Sequence, residues 1–265
     1  MKKAVWTLLL AAVLWVLWAN TAVEVNEWTI ESPDVPIGFE GFRIAQVSDL
    51  HNAEFGDGNE KLLELLRKAE PDIIVITGDL IDSRNTDVET ALAFAAEAVK
   101  IAPCYYVSGN HESRIGGWDA LRTGLIAAGV TVLEEERVTL ERSGDTVTLV
   151  GVQDPTFNSG FAADLQSLAG EGYTILLSHR PEYMVLYADC GYDLVFSGHA
   201  HGGQFRIPFV GGLVAPNQGF FPEYDSGLYR EGGTAMLVSR GLGNSIIPLR
   251  INNRPEIVVA VLKCT

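Results

Sequence analysis

The chain has 265 residues, a formal net charge of −15 at pH 7 and a sequence pI near 4.7. This acidity argues against a surface that grips a nucleic acid backbone, which needs clustered lysine and arginine, so we expect no nucleic acid partner. The three cysteines, Cys104, Cys190 and Cys264, lack C-x-x-C spacing, and we interpret them as small buried hydrophobic side chains.

An uncharged apolar segment opens the chain, from residue 4 to residue 23, directly after Lys2 and Lys3. A bilayer core about 30 Å thick needs roughly 20 helical residues, which is longer than the apolar region of a signal peptide. We therefore predict residues 1–25 as an N-terminal transmembrane helix that anchors the chain in the cell membrane. The lysines place its start in the cytoplasm, so one domain, residues 26–265, would lie on the extracytoplasmic side. The alternative is a cleaved signal sequence and a secreted protein.

Strands and helices alternate in the first half of the chain. Residues 25–42, with two prolines and two glycines, predict a connecting loop, and order begins at Arg43. Apolar runs predict strands over 43–48, 72–77 and 104–108, and helical patterns cover 59–69, 88–101 and 118–128. Such alternation implies a largely parallel sheet.

The second half predicts mostly strands. Ranges 130–133, 138–141 and 146–152 read as successive antiparallel strands, with Ser143 and Gly144 at a turn. Buried strands over 173–178 and 193–197 flank a short helix over 182–188, and further strands cover 234–239 and 256–262. The sequence shows no repeat and no second domain boundary.

All five histidines lie in short motifs that follow predicted strands. The candidate site residues, in chain order, are Asp49, His51, Asp79, Asn110, His111, His179, His199 and His201. Because the carboxyl ends of parallel strands line one crevice, these side chains should converge. Imidazole and carboxylate suit Mn²⁺, Zn²⁺ or iron. A lone Asp-x-His or Gly-Asp is common turn chemistry, but five such segments in order predict a site with two metal ions.

These motifs resemble the calcineurin-like metallophosphoesterase family. The matching signature reads Asp49-x-His51, Gly78-Asp79, Gly109-Asn110-His111-Glu112, His179 and Gly198-His199-Ala200-His201. Further stretches at 71–82, 198–204 and 238–243 are similar to a membrane-anchored bacterial subgroup, YkuE/YaeI-like, and the likeness runs from about residue 29 to 261. The resemblance implies a four-layer α/β/β/α sandwich of two mixed sheets.

The resemblance also implies roles for the site residues. One divalent ion would be held by Asp49, His51 and His201, and the second by Asn110, His179 and His199. Asp79 would bridge the two ions, which activate a water for in-line attack on phosphorus. His111 would protonate the leaving oxygen or stabilise the charged transition state.

Nearby residues leave alternatives open. Glu112 either orients a ligand or caps a helix, and Asp154 either reaches the cleft or forms an Asp-Pro turn. Arg180, Arg206 and Arg240 either meet a substrate phosphate or form ion pairs. Aromatic residues at 220, 221, 224 and 229 either contact a lipid or sugar-bearing substrate or simply pack a long loop.

We therefore predict a metal-dependent phosphoesterase that hydrolyses phosphodiester or pyrophosphate bonds, with an envelope or lipid-linked phosphate ester as substrate. One alternative is a phosphomonoesterase or phosphoprotein phosphatase, because the ligand set does not separate monoesters from diesters. Another is a membrane-tethered scaffold with structural metals. The sequence leaves the oligomeric state open, and it holds no G-x-S-x-G elbow to suggest a serine nucleophile.

Overall fold

The structure, a computed structural model, describes residues 2–244 and 247–265, without the side chains at positions 2, 4 and 12. The α-helices are α1 (Lys2–Thr21), α2 (Glu60–Lys68), α3 (Val88–Ala98), α4 (Trp118–Ala127), α5 (Phe161–Leu168) and α6 (Met184–Asp189). The strands are β1 (Glu24–Ser32), β2 (Arg43–Val47), β3 (Ile73–Thr77), β4 (Cys104–Val107), β5 (Thr131–Val132), β6 (Glu136–Arg142), β7 (Asp145–Gly151), β8 (Thr174–Leu177), β9 (Leu194–Ser197), β10 (Arg206–Ile207), β11 (Gly211–Gly212), β12 (Val214–Ala215), β13 (Gly219–Phe220), β14 (Gly227–Glu231), β15 (Thr234–Val238) and β16 (Glu256–Cys264).

Two six-stranded mixed sheets form the framework. The first has the order β1-β16-β2-β3-β4-β5. Its neighbouring strands pair in parallel, except that β16 and β2 are antiparallel to each other. The second has the order β14-β15-β9-β8-β7-β6, parallel from β15 to β7 and antiparallel at both edges. The predicted pair of mixed sheets is therefore confirmed.

Three apolar clusters separate four layers. The middle cluster joins both sheets face to face, with Val75 and Val258 from the first sheet and Ile175 and Phe196 from the second. The outer face of the first sheet packs on α2, α3 and α4, and the outer face of the second packs on α5 and α6. Burying both faces of each sheet explains why the central strands read as continuous apolar runs rather than as alternating patterns. The layers are those of an α/β/β/α sandwich.

The predicted central elements agree with the structure to within a few residues at their ends. Helix α2 buries its leucines at 62, 63 and 66, and α3 is capped by the preceding Asp87, whose carboxylate accepts the Thr90 N–H at 3.0 Å. Such a cap satisfies a backbone donor that the first helical turn leaves unpaired. The turn at Ser143 and Gly144 joins β6 to β7 as predicted, since both residues have positive φ.

The predicted loop over 25–42 is wrong, because β1 occupies Glu24–Ser32 and pairs parallel with β16. Its side chains alternate between exposed and partly buried positions, and its exposed acidic residues hide the strand pattern. The prediction for 130–133 is also wrong in direction, since β5 pairs parallel with β4 in the first sheet. Helix α5 and the small hairpins β10–β11 and β12–β13 lie where no element was predicted.

Helix α1 extends from the first sheet, and its last turn contacts the domain. Asn20 accepts the Arg250 N–H at 2.7 Å and donates to the Arg250 carbonyl at 3.0 Å, and the guanidinium of Arg254 lies 4.4 Å from the Trp18 ring centre. Within the described ranges, the structure contains no helix that is both long enough and apolar enough to cross a membrane. The predicted segment is therefore helical, but the structure does not support its transmembrane part.

Candidate metal centre

The candidate site lies where the central strands of both sheets end. Asp49 and His51 follow β2, Asp79 follows β3, Asn110 and His111 follow β4, His179 follows β8, and His199 and His201 follow β9. The backbone there is unusual, since Asp49, His51, Asp79, His199 and His201 all have φ between 48° and 65°. Non-glycine residues rarely adopt these angles, and such strain clusters at functional sites.

One group of ligand atoms contains Asp49, His51 and His201. His51 Nε2 lies 3.2 Å from His201 Nε2, and His201 Nε2 lies 3.3 Å from Asp49 Oδ1. All three side chains are buried, and their ligand atoms lie within 4.8 Å of one another. Three nitrogen and oxygen donors facing one point could hold a divalent ion and leave further positions open.

A second group contains Asp79, His179 and His199. His179 Nε2 lies 3.3 Å from Asp79 Oδ2 and 3.2 Å from His199 Nδ1. The same Asp79 oxygen also lies 3.7 Å from His51 Nε2 in the first group. One carboxylate oxygen therefore faces both groups, which is the position that a bridging ligand requires.

Asn110 lies beside the second group. Its Oδ1 atom is buried and lacks a hydrogen-bond partner among the described residues. A buried oxygen without a hydrogen-bond partner lowers the stability of the folded protein. A bound metal ion would give this oxygen the partner that the protein does not provide. The preceding residue must be glycine, because a Cβ atom on Gly109 would overlap the Asp79 carboxylate. Gly198 has the same role before His199, since a Cβ there would overlap the Asp49 carboxylate.

The charges of the site favour bound cations. Burial and the nearby Asp79 charge raise the pKa of Asp49 to about 6. Although burial opposes it, the carboxylates of Asp79 and Asp49 raise the pKa of His179 to about 10. A proton on His179 and a metal ion would thus compete for the same carboxylates. Burial lowers the pKa of His51 to about 4 and also lowers that of His201, so both rings are neutral and can donate a lone pair at pH 7.

Hydrogen bonds fix the orientation of several ligands. His179 Nδ1 lies 2.7 Å from the Thr77 carbonyl, which can only accept, so Nδ1 carries a proton and Nε2 is the nitrogen that faces Asp79 and His199. The His199 N–H donates to both Asp49 carboxylate oxygens at 3.1 and 3.2 Å. Such outer contacts hold metal ligands in place before the ion binds.

Glu112 is buried and organises the turns that carry Asp79 and Asn110. Its carboxylate accepts the N–H groups of Asp79 at 3.0 Å, Leu80 at 2.8 Å and Gly109 at 2.8 Å. Burial beside the Asp79 carboxylate raises the pKa of Glu112 to about 8, while the bound N–H groups favour its ionised form. Of the two predicted roles, orienting the ligand turns is the one that the contacts support.

Arg180 and Asp154 form a buried ion pair beside His199. Arg180 Nε and Nη2 donate to the two Asp154 oxygens at 2.5 and 3.0 Å, and Nη1 lies 3.0 Å from His199 Nε2. Burial opposes ionisation of Asp154, but the Arg180 contacts lower its pKa below the usual value. Asp154 also accepts the Thr156 N–H, as in an Asp-Pro turn. The sequence left these roles open, and the structure makes Arg180 a neighbour of a candidate ligand.

His111 contacts the site without joining either group. The Ser83 N–H donates to His111 Nδ1 at 3.0 Å, so in the neutral ring the proton lies on Nε2. Burial lowers the pKa of His111, which keeps the ring neutral at pH 7. A third possible ligand group, His51, Asp82 and His111, would use the Nδ1 atom that Ser83 already occupies. His111 is therefore better suited to donate a hydrogen bond through Nε2–H than to bind metal.

Arg250 lies behind His201 and is fully buried. Its guanidinium donates to the carbonyls of Arg240 at 2.7 Å and Gly243 at 2.5 Å, and one nitrogen lies 3.5 Å from His201 Nδ1. Burial lowers its pKa to about 10. Nothing in the sequence marks this arginine as part of the site, because its contact with His201 spans 49 positions of the chain.

Two cavities adjoin the site. The first, called the apolar cavity below, measures about 260 Å³ and is lined by Ala200, His201, Gln204, Val214, Ala215, Pro216 and Ile247. The second, called the polar cavity, measures about 210 Å³ and is lined by Ser83, Arg84, Asn110, His111, Arg114, His199, Pro216 and Asn217. Each cavity therefore reaches at least one histidine of a ligand group.

The other predicted arginines lie in ion pairs outside the ligand groups. Arg206 Nη1 lies 3.1 Å from Asp225 Oδ1, and Arg240 Nη2 lies 2.6 Å from Glu24 and 2.8 Å from Glu256. Phe220 and Phe221 are exposed, whereas Tyr224 and Tyr229 pack against each other. The aromatic loop thus divides into a packed part and an exposed part.

Comparisons with known proteins identify the family of the chain. The sequence profile described as calcineurin-like phosphoesterase matches residues 42–203. The metallophosphoesterase YkuE of Bacillus subtilis is 33% identical over 251 residues, covering 92% of this chain and 86% of that protein. The phosphodiesterase YaeI of Escherichia coli is 30% identical over 232 residues, covering 83% and 82%. The fold is similar to that of Thermus thermophilus sulfate thiohydrolase SoxB, with a TM-score of 0.54, 14% identity and coverage of 85% and 57%.

Proposed function

Because the chain belongs to the calcineurin-like phosphoesterase family and is therefore a hydrolase of phosphoester bonds, we propose that it cleaves phosphodiesters or pyrophosphates at a dinuclear centre. Asp49, His51 and His201 would hold one divalent ion, and Asn110, His179 and His199 the other. Bound there, Mn²⁺, Zn²⁺ or iron would activate water and neutralise charge on the phosphoryl oxygens.

The position of Asp79 is the observation that carries this proposal. Its Oδ2 atom lies 3.3 Å from a nitrogen of one group and 3.7 Å from a nitrogen of the other. A structural zinc site is closed by four protein ligands, whereas each group here has open positions and shares a carboxylate. These features favour an enzyme over a scaffold with structural metals.

His111 would act on the leaving group. Its Nδ1 atom accepts the Ser83 N–H, so the Nε2–H group is left to donate to a substrate. The ring lines the polar cavity together with Asn110 and His199. A neutral donor there can stabilise negative charge on the leaving oxygen and give up its proton as the bond breaks. Arg84, which pairs with Asp82, and Arg114 line the same cavity, and Arg114 adds positive charge for a substrate that carries more than one anionic group.

Phosphomonoesters remain the second class of candidate substrate, because the ligand groups alone do not discriminate the two ester types. The diester assignment is favoured by the two separate cavities. A diester or pyrophosphate has a substituent on each side of the scissile phosphate, and each cavity could hold one substituent. A monoester would leave one cavity without a substrate group.

We propose a cell-membrane location with the domain on the extracytoplasmic side, and secretion after cleavage of the N-terminal segment as the alternative. The support is the surface of α1, on which side chains including Trp6, Leu10 and Leu14 are more than half exposed. Exposed apolar side chains that lie together on one helix mark an interaction surface. Fractionation of cells that express the full chain tests this location. Recovery of the intact chain in the cytoplasm after lysis without detergent would contradict it.

The function is tested with the purified full chain to which Mn²⁺, Zn²⁺ or Fe²⁺ is added. We expect metal-dependent hydrolysis of bis-p-nitrophenyl phosphate, and slower hydrolysis of p-nitrophenyl phosphate. Asp79→Asn should lose nearly all activity, because it removes the charge that both groups share. An Asp79→Asn variant with wild-type activity would refute the bridging role, and a wild type inactive on both substrates would refute the function.

A further inference from the structure

We propose that the substrate is amphiphilic: its phosphoester lies at the ligand groups, its apolar chain fills the apolar cavity beside His201, and its polar remainder lies in the polar cavity beside His111. This inference rests on the proposed function and extends it from a bond type to a class of molecule. An alkyl, acyl or prenyl chain would provide the apolar part.

The lining of the apolar cavity carries the argument. Five of its seven lining residues are apolar, namely Ala200, Val214, Ala215, Pro216 and Ile247. The Gln204 amide nitrogen is already used, since it donates to the carbonyls of Ile247 at 2.8 Å and Leu249 at 2.6 Å. A polar substituent would lose its water there and find few partners, whereas an apolar chain gains from burial.

The polar cavity has the opposite chemistry. Arg84, Arg114, Asn110 and Asn217 line it together with His111. Pro216 lines both cavities, so the two meet at one residue beside the ligand groups. The site therefore offers an apolar pocket next to one group and a cationic, hydrogen-bonding pocket next to the other. A molecule with two chemically different ends matches this arrangement better than a symmetric one.

The surface around the apolar cavity is also apolar. In the β12–β13 hairpin, Phe220 lies opposite the cavity residue Val214 and is 74% exposed. Phe221 is exposed as well, and its N–H donates to the Leu213 carbonyl in the same hairpin. Exposed aromatic side chains beside an apolar cavity suit a substrate that arrives from a lipid surface.

Helix α1 approaches the same wall. Asn20 forms two hydrogen bonds with the backbone of Arg250, and Gln204 binds the carbonyls of Ile247 and Leu249 just before it. The segment from Ile247 to Arg250 thus connects the end of an apolar helix to the cavity wall.

A pair of matched diesters tests the proposal with the full chain. In p-nitrophenyl methyl phosphate and p-nitrophenyl octyl phosphate, water attacks phosphorus, the bond to the nitrophenyl oxygen breaks, and p-nitrophenol and an alkyl phosphate form. Each buried methylene contributes about 0.8 kcal/mol, or about fourfold in affinity. With about half of the octyl chain buried, we expect kcat/KM for the octyl ester to exceed that for the methyl ester by on the order of 100-fold.

Variants locate the effect in the cavity. Val214→Asp places a charge in the apolar wall and should reduce the octyl-to-methyl ratio to near one. Val214→Phe fills the cavity and should shift the preference toward shorter chains. Val185→Asp is the matched control, since Val185 is exposed on α6 and lies outside the cavity lining. Titration calorimetry compares the affinities of octylphosphonate and methylphosphonate, which bind without being hydrolysed. We expect octylphosphonate to bind more tightly.

The outcomes separate this inference from the proposed function. Hydrolysis of bis-p-nitrophenyl phosphate with an octyl-to-methyl ratio near one in the wild type would overturn the amphiphilic substrate and leave the phosphoesterase intact. Absence of hydrolysis of every ester would overturn the function itself. Should Val214→Asp fail to fold, the wild-type ratio and the chain-length profile of Val214→Phe still decide the question. A Val185→Asp variant that loses the preference would also contradict the assignment to this cavity.

Discussion

The buried pair of Arg180 and Asp154 makes a prediction about stability that does not depend on the substrate. Both side chains are almost inaccessible, with 5% and 0% exposure, and two hydrogen bonds join them. Removing one partner of a buried ion pair leaves an uncompensated charge and typically costs about 3 to 5 kcal/mol. Asp154→Asn keeps the shape and one acceptor, so we expect the free energy of unfolding to fall by about 3 kcal/mol.

The double variant Asp154→Asn with Arg180→Met tests the physical reason. Methionine fills much of the arginine volume and removes the guanidinium that Asp154→Asn leaves without its main partner, so the double variant should be more stable than Asp154→Asn alone. Glu64→Gln is the control, because it breaks the exposed ion pair with Lys68, whose side chains are 62% and 68% exposed. We expect the control to change stability by less than about 0.5 kcal/mol.

The assay is urea unfolding at pH 7 with a chelator, which prevents metal binding from adding to the apparent stability. The pH dependence gives a second check. Because the pKa of Asp154 is lowered in the folded state, its contribution is complete above the ordinary aspartate pKa and disappears as the pH falls through the folded value. The gap between wild type and Asp154→Asn should therefore be constant from pH 7 to about 5 and narrow below about pH 4. A loss no larger than that of Glu64→Gln would refute the reasoning.

Three further predictions concern the site and the thiols. Gly198→Ala should abolish metal-dependent hydrolysis, because its Cβ would displace the Asp49 carboxylate. Gly233→Ala is the control and should keep activity, because a Cβ there meets no atom within 4 Å. Equal activity of the two variants would contradict the contact predicted between residue 198 and Asp49. His111→Gln should lower kcat by about 100-fold or more for a diester with an alkoxide leaving group, which needs a proton. The loss should be smaller for a diester that releases p-nitrophenolate, which needs no proton. An equal loss for both substrates would exclude His111 as the proton donor. Burial raises the pKa of Cys104 to about 12, so Ellman's reagent should label the partly exposed Cys190 and Cys264 before Cys104 in the folded protein. Comparable rates for all three thiols would show that Cys104 is accessible.

The sequence predicted the central strands and the positions of the site residues because local patterns carry both. Strands β2, β3 and β4 are buried on both faces and therefore read as short apolar runs, each followed by a glycine or aspartate turn. Parallel neighbours then bring those turns to one edge of a sheet. This rule accounts for Asp49, Asp79 and Asn110, which follow neighbouring strands of the first sheet. His199 follows β9 in the second sheet, and the face-to-face packing of the two sheets brings it to Asp49.

Strand β1 could not be predicted for a physical reason. It pairs with β16 at the edge of the first sheet, and exposed positions such as Glu27 and Glu31 make ion pairs with Arg43 and Lys263. An edge strand stabilised by charges outside its own segment lacks the apolar run that marks a buried strand. The two-residue strands of the small hairpins are too short to show any period.

The sequence named Asp154 and Arg180 as candidates but could not predict that they pair with each other beside His199. Asp154 and Arg180 are 26 positions apart, and Arg250 contacts His201 across 49 positions. Arginine and aspartate are usually exposed, so composition favours surface ion pairs unless the three-dimensional contacts are known. Glu112 was the exception, because the Gly-Asn-His-Glu motif already placed it beside the site.

Metal content per chain tests the central claim most directly. The full wild-type chain, loaded with Mn²⁺ and freed of excess metal, should contain two ions by elemental mass spectrometry. His201→Ala removes a ligand of the first group and His179→Ala one of the second, so each variant should retain about one ion, and Val185→Asp should retain two. A single ion in the wild type, or the loss of both ions in each histidine variant, would contradict two separate ligand groups joined by Asp79.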